Sequence, residues 1–114
     1  MRTRTEPTYV YVLSDGRGPK KIGSSHDPEH RCRVLRYGAE EYKLRVAAKY
    51  WVPGYARLIE RETHRALRSK RLEHEYEWFD VTVAEAKAAI EATIYKWRDA
   101  VMPAPVVDDP MEGK

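Results

Sequence analysis

The sequence predicts a small α/β domain of the α+β kind, a three-stranded, mainly antiparallel sheet flanked by three helices. Three observations point there. Residues 8–13 (TYVYVL) and 43–52 (KLRVAAKYWV) are rich in β-branched and aromatic residues, with apolar positions on alternate residues. The turn-forming stretch SDGRGP separates the first run from KIGS, which is close enough to pair back as a hairpin. Three later stretches, opening near residues 28, 55 and 82, space their apolar residues at the helical period.

Taken in order, residues 1–7 form a flexible lead-in. In the first strand Tyr9 and Tyr11 point to one face of a sheet, Val10 and Val12 to the other. Asp27-Pro28 is a helix start, with a side-chain acceptor at the N-cap and a proline whose missing N–H costs nothing there. The helix runs from Pro28 to Arg36, with Cys32 and Leu35 on one stripe and Arg31 beside it. Tyr37-Gly38-Ala39 ends it. Leu44, Val46 and Ala48 alternate through the third strand, which Pro53-Gly54 breaks. A second helix follows from Tyr55 to about Lys70, its apolar stripe made of Ala56, Ile59, Thr63, Ala66 and Leu67. Residues 72–77 (LEHEYE) read as an acidic loop, and Trp78 and Phe79 as core. Thr82 with Glu85 is a capping box that opens the third helix, where Val83, Ala86, Ile90, Ile94, Trp97 and Val101 keep the period. Residues 102–114, with three prolines, Asp108 and Asp109, read as a disordered acidic tail, which leaves one domain over 8–101.

Composition narrows the function classes. Hydrophobic residues are 42% and charged ones 34%, the balance of a folded soluble chain rather than a disordered one. No apolar run approaches the roughly 20 residues of a membrane span, and MRTRTEPT lacks the apolar segment of a secretory signal. A single cysteine, Cys32, excludes an internal disulfide, so a cytoplasmic location is expected. Charge is divided along the chain. Residues 1–71 carry 17 Lys and Arg against 8 Asp and Glu, whereas residues 72–114 carry 4 against 10. A basic body suits a polyanion on one face, although a solvated mix of charges explains the same distribution.

The chemistry-bearing residues fall into two groups. The hairpin and the helix after it deliver Tyr11, Lys21 and Arg31 from consecutive elements, and a hydroxyl, an amine and a guanidinium together suit a phosphate. On the second helix Glu60 and His64 are four apart and share a face at the edge of the apolar stripe. A carboxylate there can hold a divalent cation whose shell is completed by water and phosphate. The plain alternative is a surface i,i+4 pair. His26 and His30 make a poor zinc site, and Cys32 reads as a small buried hydrophobe.

YVY at 9–11, KIG at 21–23 and GSSHDPEHRCR at 23–33, in that order and spacing, resemble the GIY-YIG nuclease domain. The likeness is strongest to a phage-encoded branch that writes its second motif with lysine, and it extends over roughly Tyr9 to Ile94. The resemblance implies an endonuclease that hydrolyses DNA phosphodiester bonds with Mg²⁺ or Mn²⁺. It assigns Tyr11 as general base, Arg31 as the clamp on the scissile phosphate, and Glu60 as the metal ligand, with Glu62 as fallback. Arg33 rivals Arg31 and is otherwise a DNA contact, as are Arg57, Arg61 and Arg65.

The sequence departs from the family pattern at three places. Lys21 stands where a tyrosine is usual, which assigns it to lowering the Tyr11 pKa or to binding phosphate. Leu35 stands where many members carry His or Tyr, so His64, His30 and Tyr37 are the substitutes, His64 being best placed. Glu77 lies in the region of a late asparagine and takes an orienting role. DNA is the expected partner, with specificity from a homodimer or a separate recognition protein. Two rival readings stay open: a DNA-binding domain of the same fold without activity, and a protein-interaction module working through its acidic tail.

Overall fold

The computed structural model describes residues 6–36 and 43–101, the last three by their backbone alone. The lead-in before Glu6, the Tyr37-Gly38-Ala39 helix stop and the acidic tail lie outside the described residues. Strand β1 (Tyr9–Ser14) and strand β2 (Lys20–Ser25) form the expected hairpin, followed by helix α1 (Pro28–Arg36) and strand β3 (Arg45–Trp51). Helix α2 (Ala56–Ala66) leads through a 3₁₀ turn (Arg68–Lys70) into strand β4 (Arg71–Leu72) and strand β5 (Glu75–Phe79). Helix α3 (Val83–Val101) is the last described element.

The α+β class is as expected, but among the described residues the sheet has five strands rather than three, in the order β3-β1-β2-β5-β4 with every pairing antiparallel. The two additional strands come from residues 71–79, which take in the segment read as an acidic loop (72–77) and the core residues Trp78 and Phe79 after it. Glu73 and His74 close a tight turn there, His74 taking a left-handed φ of 70°. An asparagine or glycine at that position would have signalled a hairpin. Here a histidine among glutamates carries the turn, and an exposed edge strand shows little apolar alternation. The second helix is also shorter than its apolar stripe suggested. It ends at Ala66, because Leu67 leaves the helical region and the chain tightens into the 3₁₀ turn.

The period-two pattern of β1 sorts two cores. On one face Val10, Val12 and Ile22 pack with Ala56 and Ile59 of α2 and with Ala86, Ile90 and Ile94 of α3. On the other, Tyr11 and Leu13 pack with Cys32 of α1 and with Leu44. The predicted caps are present. Asp27 Oδ1 accepts from the His30 amide at 3.1 Å, while the Thr82 and Glu85 amides exchange bonds with each other's side chains at 2.9 and 3.0 Å. Leu35, half-buried against the second core, serves packing and not proton transfer. The Cys32 thiol donates to the Leu44 carbonyl at 3.4 Å, and burial pushes its pKa up, which keeps it inert. No described helix is long and apolar enough to cross a membrane.

Candidate functional site

The site arises where the sheet comes apart. Among the described residues β5 pairs with β2 only through Lys20↔Phe79 and Lys21↔Trp78, so within them β2 from Ile22 to Ser25 has an open edge. Along that edge, groups anchored on opposite faces of the sheet come within reach of one another.

From the α1 face comes Tyr11. Its register partner on β2 is Gly23, and its ring lies directly over that residue. A Cβ at position 23 would sit 2.5 Å from the phenol oxygen. Glycine is required there by the close approach, not by its backbone angles. Tyr11 is 2% exposed. Burial first, then the Glu77 carboxylate and more weakly that of Glu60, push the phenol pKa to about 12, against a hydrogen bond and a charge from Arg31 that pull it down. Lys21, expected to lower the phenol pKa or to bind phosphate, is not among the largest influences on that pKa. Its amine is bound instead to Glu77 Oε1 at 2.5 Å, which commits its charge to a carboxylate.

From the α2 face comes Glu60. The Ser24 hydroxyl donates to its Oε1 at 2.5 Å, and His64 Nε2 stands 3.8 Å from its Oε2. Burial raises the Glu60 pKa. The Ser24 bond opposes that shift, Glu77 adds to it, and His64 and Lys21 reduce it. The carboxylate therefore stands in a partly dehydrated place with a second acid nearby, where a bound cation would be welcome.

His64 is 4% exposed, and its Nε2 lies 2.7 Å from the Ile22 carbonyl. A carbonyl only accepts, so this nitrogen carries the proton and donates. The ring packs on Phe79 at 5.0 Å between centroids. His64 thus supplies the open edge of β2 with a donor that a neighbouring strand would otherwise have given, and it fixes α2 beside the site. A base at Nε2 is not what this geometry offers.

The structure brings Tyr11, Arg31, Lys21, Glu60 and His64 into one neighbourhood, with Glu77 and Ser24 completing it. Others stay apart. Arg33 is exposed on α1, where its charge acts on the Cys32 thiol. Glu62 pairs with Arg61 at 3.6 Å. His30 is exposed, and Tyr37 lies outside the described residues. Among the described residues no three His, Cys, Asp or Glu gather as metal ligands. A lone carboxylate suits a Mg²⁺-type ion that keeps its waters and takes phosphate oxygens, and it does not suit zinc.

Beside Glu60 and His64 opens a cleft of roughly 450 Å³ walled by Arg57, Arg61, Arg65, Arg68 and Arg71, with Tyr76 at its rim. The first three were expected as DNA contacts. Arg71, Tyr76 and Ser24 escape the sequence reading, because only the β4–β5 hairpin and the β2 edge bring them here, and Arg68 arrives through the 3₁₀ turn. An arginine recurring at three- and four-residue intervals from 57 to 68 was the one available signal. A family profile described as the T5orf172 domain matches residues 8–94. No curated protein and no solved structure matches the chain.

Proposed function

Because the chain belongs to the T5orf172 domain family, we propose that it is a metal-dependent endonuclease of GIY-YIG type, working on DNA phosphodiester bonds. One observation carries the reading: a phenol, a guanidinium and a carboxylate from three elements converge on the open edge of β2, next to a cleft lined with arginines.

In this mechanism the arginine row of α2 holds the backbone, and Arg31 takes a non-bridging oxygen of the scissile phosphate with its planar fork. Glu60, steadied by Ser24, holds Mg²⁺ or Mn²⁺. When bound, the ion supplies positive charge for the developing charge on the leaving oxygen. Tyr11 orients the attacking water and takes its proton as the water oxygen bonds to phosphorus and the phosphorus–oxygen ester bond breaks. With a pKa near 12 the phenolate is scarce at neutral pH, so the rate should climb with pH. Glu77 keeps the Lys21 amine at the site wall. His64 acts through position, holding α2 on the strand edge. Selection of particular DNA would come from a second copy of the chain or a separate recognition protein.

The test is nicking of supercoiled plasmid with Mg²⁺ or Mn²⁺. Activity that disappears with EDTA and in Glu60→Ala supports the assignment, and cleavage surviving both rejects this site. The raised phenol also favours a second reading, a DNA-binding domain without turnover. It predicts salt-sensitive DNA binding and no nicking at any pH. Failure to bind nucleic acid at all would leave the protein-interaction reading.

A further inference from the structure

The arginine cleft carries an aromatic ring that hydrolysis does not use. Tyr76, the second residue of β5, keeps 68% of its surface open although it lines the same cleft as Glu60 and His64. The ring is nonetheless held. The Arg71 guanidinium stands over it, 4.7 Å from the centroid. The His64 ring meets it at 86° with 5.9 Å between centroids. One short hairpin carries both Arg71 and Tyr76, so the cation and the aromatic ring are delivered together. The neighbouring aromatics Trp78 and Phe79 are half-buried and buried in the two cores, whereas Tyr76 is positioned and left uncovered.

Three of the cations beside it form a row along one helix. Arg57, Arg61 and Arg65 recur at every fourth residue of α2, which spreads them over about 12 Å at the helical rise. Arg68 and Arg71 line the same cleft, Arg71 standing over the Tyr76 ring. A single row of guanidinium groups is enough to follow the one phosphate backbone of an unpaired strand. An aromatic face offers nothing to base edges in a duplex groove. It stacks well on a base that has lost its partner, and the adjoining arginine strengthens such a platform.

We propose that Tyr76 is a stacking platform for an unpaired DNA base, and that the substrate is duplex DNA adjoining a single-stranded segment. The unpaired strand runs along the arginine row and places its junction beside Glu60. This rests on the nucleic-acid reading given above and names its substrate class.

The test measures binding by the full chain in EDTA, where no cleavage occurs, to a blunt duplex, the same duplex with a single-stranded arm, and the arm alone. The arm-bearing duplex is expected to bind about tenfold more tightly than the blunt one, with that preference collapsing in Tyr76→Ala and returning in Tyr76→Trp. A 2-aminopurine placed in the arm should be quenched by the wild type. Equal affinity for blunt and armed duplex, a preference that survives Tyr76→Ala, an unquenched probe, or tighter binding of the same arm in RNA would each overturn the proposal. Loss of nicking in Glu60→Ala with the arm preference intact bears on hydrolysis alone. Robust nicking without any arm preference refutes the platform and leaves the nuclease reading standing.

Discussion

Gly23→Ala is the sharpest probe of the site, because a single methyl group is aimed at the proposed base. The added Cβ would lie 2.5 Å from the Tyr11 hydroxyl oxygen, 2.8 Å from Cζ and 3.2 Å from Cε1. Comfortable approach begins at about 3.5 Å, so the ring must retreat by about 1 Å. It has nowhere to go cheaply, since Tyr11 is 2% exposed and packed with Leu13, Cys32 and Leu44. Overpacking of this kind costs about 2 kcal/mol. In a domain of this size that penalty lowers the Tm by roughly 8–16 °C. The same displacement pulls the phenol away from Arg31, and misplacing a reacting group by about 1 Å costs on the order of 100-fold in rate. The assay pairs thermal melting with plasmid nicking. In a Tyr11→Phe background the 2.5 Å clash is gone, so the stability penalty of Gly23→Ala should shrink by about 1 kcal/mol. A Gly23→Ala protein that melts like wild type and nicks at full rate would refute the account of how Tyr11 is seated.

Three further outcomes are expected. Glu60 has its pKa raised in the fold, so between the unfolded value and the raised one the native state binds more protons, and stability falls as pH rises through that window. Glu60→Gln therefore keeps the Ser24 bond, melts at or above the wild-type temperature at pH 7, and still abolishes nicking; a marked drop in stability would point to a structural role. Replacing Arg57, Arg61 and Arg65 together with alanine should flatten the slope of log affinity against log salt by roughly 2 to 3, at about 0.7 for each single-strand phosphate or 0.9 for each duplex phosphate no longer neutralised; an unchanged slope would take the row out of the DNA path. Glu77 raises the Tyr11 pKa, so Glu77→Gln should move the pH–rate profile toward acid. It also weakens the bond to a Lys21 side chain only 8% exposed, at a cost of about 1–2 kcal/mol read by denaturant unfolding. A profile that stays put would deny Tyr11 the role of base.

Local patterns in the chain determined the hairpin of β1 and β2, the capped starts of α1 and α3, the two faces of β1 and the arginine row of α2. Each of these depends on residues only a few places apart, through capping, turn chemistry or periodic burial. Tertiary structure alone decided that β5 leaves β2 after Lys21, since pairing between strands more than fifty residues apart has no local signature. That divergence makes the open edge on which Ser24, Glu60 and the His64 bond to the Ile22 carbonyl meet. It also gives Lys21 to Glu77 and leaves the Tyr11 phenol raised rather than lowered. Those outcomes follow from burial and from the distances between charges, and neither exists until the sheet has closed.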